Sequence, residues 1–123
     1  MVGLAFILSA MKKTKLSNFF LNISIPMTLL PFRKAFYYWT KAVNVILADS
    51  TCISEAYEIT KKVNPDNLYT DNNKSFFFSF LAALLYDLGN KEMALNYLEM
   101  AQQLPHKKLF DEHLEKLKKQ ITQ

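Results

Sequence analysis

The amino-acid sequence predicts an all-α fold in which antiparallel helical hairpins are closed by a C-terminal capping helix. Apolar side chains recur with a period of about 3.6 residues along most of the chain after residue 33, as they do on the buried face of a helix. The residues that interrupt helices, chiefly Gly89 and Pro105, fall between these periodic segments. The predicted helices cover residues 34–48, 53–63, 75–88, 91–104 and 107–121.

Residues 1–32 are predicted to be a separate apolar and basic segment that precedes the helical domain, residues 33–123. The first ten residues are too few to span a bilayer, and asparagines and prolines interrupt the second apolar run. Residues 1–48 carry six basic residues and no acidic one, a bias that is typical of targeting and membrane-surface segments. The segment is therefore expected to be a targeting signal, a membrane anchor or an additional packed helix. A start at Met11 is an alternative beginning of the protein.

The first predicted hairpin covers residues 34–65. Its first helix has a broad apolar arc that comprises Phe36 or Tyr37, Trp39, Val43, Ile46 and Leu47. The polar residues 49–51 favour a turn and a helix start, so a second helix is expected to begin at Ile53. This helix should end before Pro65, and residues 68–73 should form a linker to the second hairpin.

The helix predicted over residues 75–88 is apolar on all sides, and such a helix must be covered on more than one side. It is therefore expected to be the central helix. Asn73 or Ser75 is the expected N-cap, since a short polar side chain there can accept a bond from an unpaired backbone N–H. Gly89 follows and is expected to adopt a positive φ in the turn, because it has no Cβ. The next helix, residues 91–104, is amphipathic.

The two helices on either side of Gly89 resemble the tetratricopeptide repeat (TPR), a helix-turn-helix unit of about 34 residues. The residues that match its structural positions are Phe78, Leu81, Ala82, Leu85, Gly89, Ala94, Leu98 and Ala101. The alanines allow two helices to approach closely, and the larger side chains fill the space around them. Two positions depart from the family's pattern, since Ala82 replaces a glycine and Pro105 comes one residue early. An ordinary antiparallel helix pair also has small residues where its helices cross.

The resemblance implies a partner-binding groove that is lined by the first-helix residues Phe76, Ser79, Ala83, Tyr86 and Asp87. Phe76 and Tyr86 are apolar enough to belong to the core instead, and that alternative stays open. Residues 34–65 would form a divergent first repeat, because Ala56 and Val63 have the seven-residue separation that the second hairpin also shows.

The predicted C-terminal helix has a single apolar face, formed by Phe110, Leu114, Leu117 and Ile121. Arrays of helical repeats close their last exposed face with such a helix, so a capping role is expected. About three repeats are needed for a stable stack, and this chain has at most two. The remaining apolar surface is therefore expected to be covered by residues 1–32, by a second copy or by a partner's helix.

Residues suited to catalysis or metal binding are few. The lone Cys52 excludes an intramolecular disulfide and a multi-cysteine metal site, although its place at a helix start would favour its thiolate. His106 and His113 have no third ligand at helical spacing and are expected to be surface residues. Two glycines do not make a phosphate-binding loop. We therefore expect no enzymatic activity, no catalytic residue, no metal site and no cofactor.

Nucleic-acid binding is not expected either. The lysines of residues 107–119 alternate with acids that cancel much of the positive field that phosphate binding requires. Arg33 is the single arginine, so no platform of arginines and aromatic rings for stacking bases is present in the sequence.

The order of these features is similar to the layout of the short cochaperones that bind the needle subunit of type III secretion systems. The corresponding segments are SEAYEI in the first hairpin, LGNKEMA at the glycine turn and LFDEHLEKL in the last helix. The expected function is that of a protein–protein interaction module, a small cytoplasmic chaperone or adaptor. Its partner would be a helical or extended segment of another protein, or a second copy of the chain. The alternative is a membrane-anchored helical protein that uses residues 1–32 as anchor or targeting signal.

Overall fold

The computed structural model describes residues 15, 17, 18, 31–106 and 108–123. From residue 31 onward, this described part contains no strand and forms five α-helices, which are α1 Pro31–Ala48, α2 Ile53–Thr60, α3 Asp71–Asp87, α4 Lys91–Gln103 and α5 Lys108–Thr122. The predicted all-α class is therefore confirmed. The chain divides into two compact units between Asn67 and Leu68. Most of residues 1–32 lie outside the described residues, and their predicted role as signal, anchor or extra helix stays a prediction.

The first unit is built on α1, which packs against α2 and against a 3-10 turn, Pro65–Asn67. Helix α1 begins at Pro31, earlier than predicted, because proline is tolerated in the first turn of a helix, where its missing N–H is not needed. Helix α2 ends at Thr60 and not at residue 63. The N–H of Val63 bonds the carbonyl of Thr60, three residues back, so the chain tightens and leaves the helix.

The buried apolar residues of the first unit are Ala35, Tyr37, Trp39, Ala42, Ala56 and Val63. The predicted arc of α1 was partly wrong at its C-terminal end, where Val43 and Ile46 are half-buried and Leu47 is exposed. Leu47 lies in the last turn of α1, and the partner helix α2 is short, with 8 residues. The predicted turn after α1 is present, since Asp49 accepts bonds from the N–H and the hydroxyl of Thr51.

A buried amide links α1 to the described residues that precede it. The side-chain N–H₂ of Asn44 donates to the hydroxyl of Ser17 at 2.8 Å and to the side-chain oxygen of Asn18 at 3.0 Å. Asn44 and Ser17 are both buried, so these bonds satisfy polar groups that water does not reach. This contact was not predicted from the sequence.

The second unit is a hairpin of α3 and α4 against which α5 packs. Helix α3 begins at Asp71, within the predicted linker, and its N-cap is Thr70 and not Asn73 or Ser75. Thr70 has the extended backbone that an N-cap needs, and its side-chain oxygen accepts the N–H of Asn73 at 3.1 Å. The side chain of Asn73 donates instead to the carbonyl of Leu68, and Ser75 is buried.

The turn between α3 and α4 is a Schellman motif centred on Gly89, which has a φ of +86° as the sequence predicts. The N–H of Gly89 bonds the carbonyl of Tyr86 at 3.0 Å, and the N–H of Asn90 bonds the carbonyl of Leu85 at 2.9 Å. Asn90 then caps α4, because its side-chain oxygen accepts the N–H of Met93 at 3.2 Å. The end of α3 and the start of α4 are therefore separated by only three residues.

The core of the second unit is centred on α3, as predicted for a helix that is apolar on all sides. Its buried residues form two adjacent stripes, Ser75, Phe78, Ser79, Ala82 and Leu85 on one and Phe77, Leu81 and Leu84 on the other. Both α4 and α5 contact α3. Helix α5 buries Leu114, Leu117 and Ile121, the apolar face that the sequence assigned to a capping helix.

Candidate partner-binding surface

The residues matched to the structural positions of the repeat are core residues of the second unit. Phe78, Leu81, Ala82, Leu85, Ala94, Leu98 and Ala101 are all buried, and Gly89 forms the turn. The three alanines have no exposed surface, so the two helices approach closely where they lie. Between the helices the hydroxyl of Ser75 donates to the carbonyl of Ala101 at 2.8 Å.

The five residues predicted to bind a partner lie along one stripe of α3, but they differ in exposure. The side chain of Phe76 is 49% exposed, which favours a surface position over a core position. Ala83 and Tyr86 are half-buried, and Asp87 is exposed. Ser79 is 3% exposed, and its hydroxyl donates to the carbonyl of Phe76 within the same helix. The stripe therefore presents side chains at its two ends, whereas Ser79 faces inward.

Phe76 belongs to a cluster of four rings, Phe76, His106, Phe110 and His113, which we call the ring cluster. Phe76 stacks on Phe110 with centroids 5.2 Å apart, and Phe110 stacks on His113 at 5.3 Å. The ring of His106 meets Phe110 edge-on at 6.0 Å. These separations are those of attractive aromatic pairs. The cluster therefore links the partly exposed ring of α3 to the first turns of α5.

The ring cluster was not predicted from the sequence. Phe110 was assigned to the apolar face of the last helix, and it is half-buried under Phe76. The spacing of His106, Phe110 and His113 is compatible with one side of a helix, and this was the available signal. The contact of Phe110 with Phe76 has no local signal, because it depends on how α5 packs on α3.

The two histidines of the ring cluster differ in environment. His113 is exposed, as predicted. His106 is not a surface residue, because its side chain is only 10% exposed. Its Nδ1 lies 2.6 Å from the carbonyl oxygen of Leu104, and its Nε2 contacts the carboxylate of Asp111. The Leu104 carbonyl, followed by the Asp111 carboxylate, raises the pKa of His106 above its usual value.

A second exposed apolar stripe lies on α4. Met93 and Met100 are exposed two turns apart, and the half-buried Tyr97 lies between them. Tyr97 stacks on Phe78 at 5.9 Å, so its ring is held by the hairpin core. Methionine is common at surfaces that bind several partners, because its side chain adapts its shape.

Cys52 does not have the reactive environment that its position suggested. Partial burial and the thiol's hydrogen bond to Asp49 raise the pKa of Cys52, so its thiolate is disfavoured. In the described part of the chain, no group of three or more His, Cys, Asp or Glu side chains is placed to hold a metal ion. None of the described helices is both long enough and apolar enough to cross a membrane.

No protein-family model, curated protein or solved structure matches this chain. The class of the protein is therefore defined by its own geometry, an all-α chain whose second unit is a glycine-turn hairpin with a packed terminal helix.

Proposed function

We propose that this chain is a protein–protein interaction module of the TPR type, a small cytoplasmic chaperone or adaptor that binds a helical or extended segment of a partner. The observation that carries this proposal is the exposure of Phe76 within the ring cluster. Large aromatic side chains are frequent anchors of protein interfaces. A ring that is already stacked loses less conformational freedom on binding than a mobile one.

The exposed stripe of α3 suggests the length of the bound segment. Phe76 and Tyr86 are ten residues apart on one helix, which corresponds to about 15 Å along the helix axis. An extended peptide covers this distance with about five residues, and a helix with about three turns. Asp87 at the far end of the stripe would favour a basic or N–H-bearing group there. Assignment to the cytoplasm is supported by the single free cysteine, since secreted domains of this size commonly carry disulfides.

Site-specific photo-crosslinking tests the proposal. Phe76 is replaced with a photoreactive phenylalanine analogue in the full chain, and Tyr69 is replaced in the same way as a control. Tyr69 is 83% exposed but lies before α3 and outside the stripe. We expect irradiation in the producing cells to join position 76 to one defined segment of a partner, and position 69 to give no such product.

A synthetic peptide of the crosslinked segment then provides a quantitative test. The peptide should raise the thermal midpoint of the wild-type chain by mass action and leave that of Phe76→Ser unchanged. Equal crosslinking at the two positions, or a peptide that stabilises both proteins equally, would contradict the proposed surface.

A further inference from the structure

We propose that His106 is a pH-dependent latch of the ring cluster, whose protonated form ties the end of α4 to the first turn of α5 and holds Phe110 against Phe76. This inference concerns regulation of the surface described above and rests on the proposed function for its biological role. The latch itself is a property of the folded chain and needs no partner.

The geometry of the His106 ring carries the inference. One ring nitrogen faces the carbonyl oxygen of Leu104, and the other faces the carboxylate of Asp111. Both of these groups are acceptors and neither has a proton to donate at neutral pH. A neutral imidazole has one N–H, so it can satisfy only one of the two, and its other nitrogen would face an acceptor with a lone pair. The imidazolium form donates to both, so the observed arrangement favours the protonated ring.

The surroundings of the ring support this assignment. Asp111 on α5 is the described charged group that acts on His106, and Leu104, the residue after α4, contributes an uncharged carbonyl. Helix α3 contributes to the cluster the uncharged ring of Phe76, which reaches His106 through Phe110. The other titratable ring of the cluster is His113, which follows Phe110 in the sequence, whereas His106 precedes it. His113 contacts Phe110 face to face. A carboxylate beside an imidazole favours its charged form, which agrees with the raised pKa of His106.

The latch is coupled to the candidate surface through Phe110. The ring of His106 lies edge-on against Phe110, and Phe110 is the ring on which Phe76 stacks. Deprotonation removes one of the two bonds that orient His106, so the edge contact with Phe110 weakens. Phe76 then loses part of the support that restricts its ring. Partner binding at Phe76 should therefore strengthen as the pH falls through the pKa of His106.

An NMR titration of the full-length chain tests the latch. The imidazole nitrogens of both histidines and the ring protons of Phe76 and Phe110 are followed from acid to alkaline pH in the wild type and in His113→Gln. We expect both nitrogens of His106 to carry protons at the acid end, with a midpoint above the usual value of about 6.5. The shifts of Phe76 and Phe110 should follow that midpoint, including in His113→Gln, where His106 is the only histidine left.

The variant Asp111→Asn provides the second measurement, because it removes the charge and keeps the size of the side chain. The midpoint of His106 should fall in this variant relative to the wild type. The proposal is overturned if the titration midpoint of His106 in the wild type lies at or below the usual imidazole pKa. It is also overturned if the Phe76 and Phe110 shifts stay constant through the His106 titration of His113→Gln. These titrations are measured on the folded chain without any partner, so failure of the crosslinking experiment would leave them unaffected.

Discussion

At the scale of single residues, the hydroxyl of Ser75 supplies a donor that the backbone of α4 lacks. The carbonyl of Ala101 lies in the last turn of α4, where its intrahelical partner would be the N–H of residue 105. That residue is Pro105, which has no N–H. Ser75 bonds the carbonyl from the neighbouring helix instead, and both residues are fully buried. Pro105 thus leaves the Ala101 carbonyl without a backbone donor, and the buried hydroxyl of Ser75 supplies one.

Replacement of Ser75 with alanine should therefore destabilise the chain by about 1–3 kcal/mol, the cost of leaving a buried carbonyl without a donor. The matched control is Ser79→Ala. Ser79 is equally buried, but its hydroxyl bonds the Phe76 carbonyl, which the helix itself pairs with the N–H four residues on. Urea unfolding should show a clearly larger loss for Ser75→Ala than for Ser79→Ala. Equal losses would show that the bond between the helices contributes nothing of its own.

A second prediction at this scale separates binding from stability at adjacent positions. Phe76→Ser should abolish capture of the partner segment and change the thermal midpoint little, because the Phe76 ring is half-exposed and an aromatic pair such as its stack on Phe110 is worth about 0.5–1.5 kcal/mol. Phe77→Ser is the opposite case, since Phe77 is buried and its loss leaves a cavity. That variant should lose about 3–5 kcal/mol in thermal or urea unfolding. A comparable collapse of Phe76→Ser would assign Phe76 a core role.

At the scale of elements, the Gly89 turn makes a prediction that depends on the backbone alone. A Cβ added at Gly89 would meet no atom within 4 Å, so a side chain fits, but the φ of +86° disfavours all residues except glycine and, less strongly, asparagine. Gly89→Val should cost about 1 kcal/mol or more in urea unfolding, and Gly89→Asn should cost less. If Gly89→Val and Gly89→Asn are equally stable, the turn relaxes to another conformation in both.

The connection between α4 and α5 predicts how stability depends on pH. Because the pKa of His106 is raised in the folded chain, its stabilising contribution is complete below the unfolded value of about 6.5. That contribution is lost as the pH rises through the raised pKa of the folded state. The difference in unfolding free energy between wild type and His106→Gln should therefore be larger in acid than in alkali. In an Asp111→Asn background the same difference should vary less with pH, and an unchanged variation would mean that the Leu104 carbonyl alone raises the pKa of His106.

The elements also show what the sequence could and could not predict. The bounds of α4 follow from residues at its own ends, Gly89 and Asn90 before it and Pro105 after it. The start of α3 was mispredicted because residues 70–75 include several side chains able to cap a helix. Thr70 has the extended backbone of an N-cap, whereas Asn73 and Ser75 lie inside the helix. The ring cluster was missed for a related reason, since Phe76 and Phe110 lie on helices separated by a third.

At the scale of the whole molecule, exposed apolar side chains occur in both units. Leu47 lies in the first unit, and the second carries Tyr69, Phe76, Leu88, Met93 and Met100. Single exposed apolar residues are ordinary in folded proteins. Met93 and Met100, however, share one stripe of α4, and the exposed ring of Phe76 is stacked on Phe110. The described residues form at most two hairpins and a terminal helix, fewer than the three repeats that a stable stack usually needs. We therefore infer that these surfaces are covered when the protein functions.

The last prediction tests this inference with a shortened chain, residues 31–123, which begins at the first residue of α1. The deletion removes Ser17 and Asn18, whose bonds to the buried amide of Asn44 are then lost. We expect the fragment to self-associate in sedimentation experiments and to become monomeric and more stable when the partner segment is added, by mass action. A membrane-anchored protein would behave differently, since the full chain would need detergent and the fragment would not. If the fragment is monomeric and stable without any partner, neither the missing repeats nor the exposed rings require one, and the chain is a self-sufficient helical bundle.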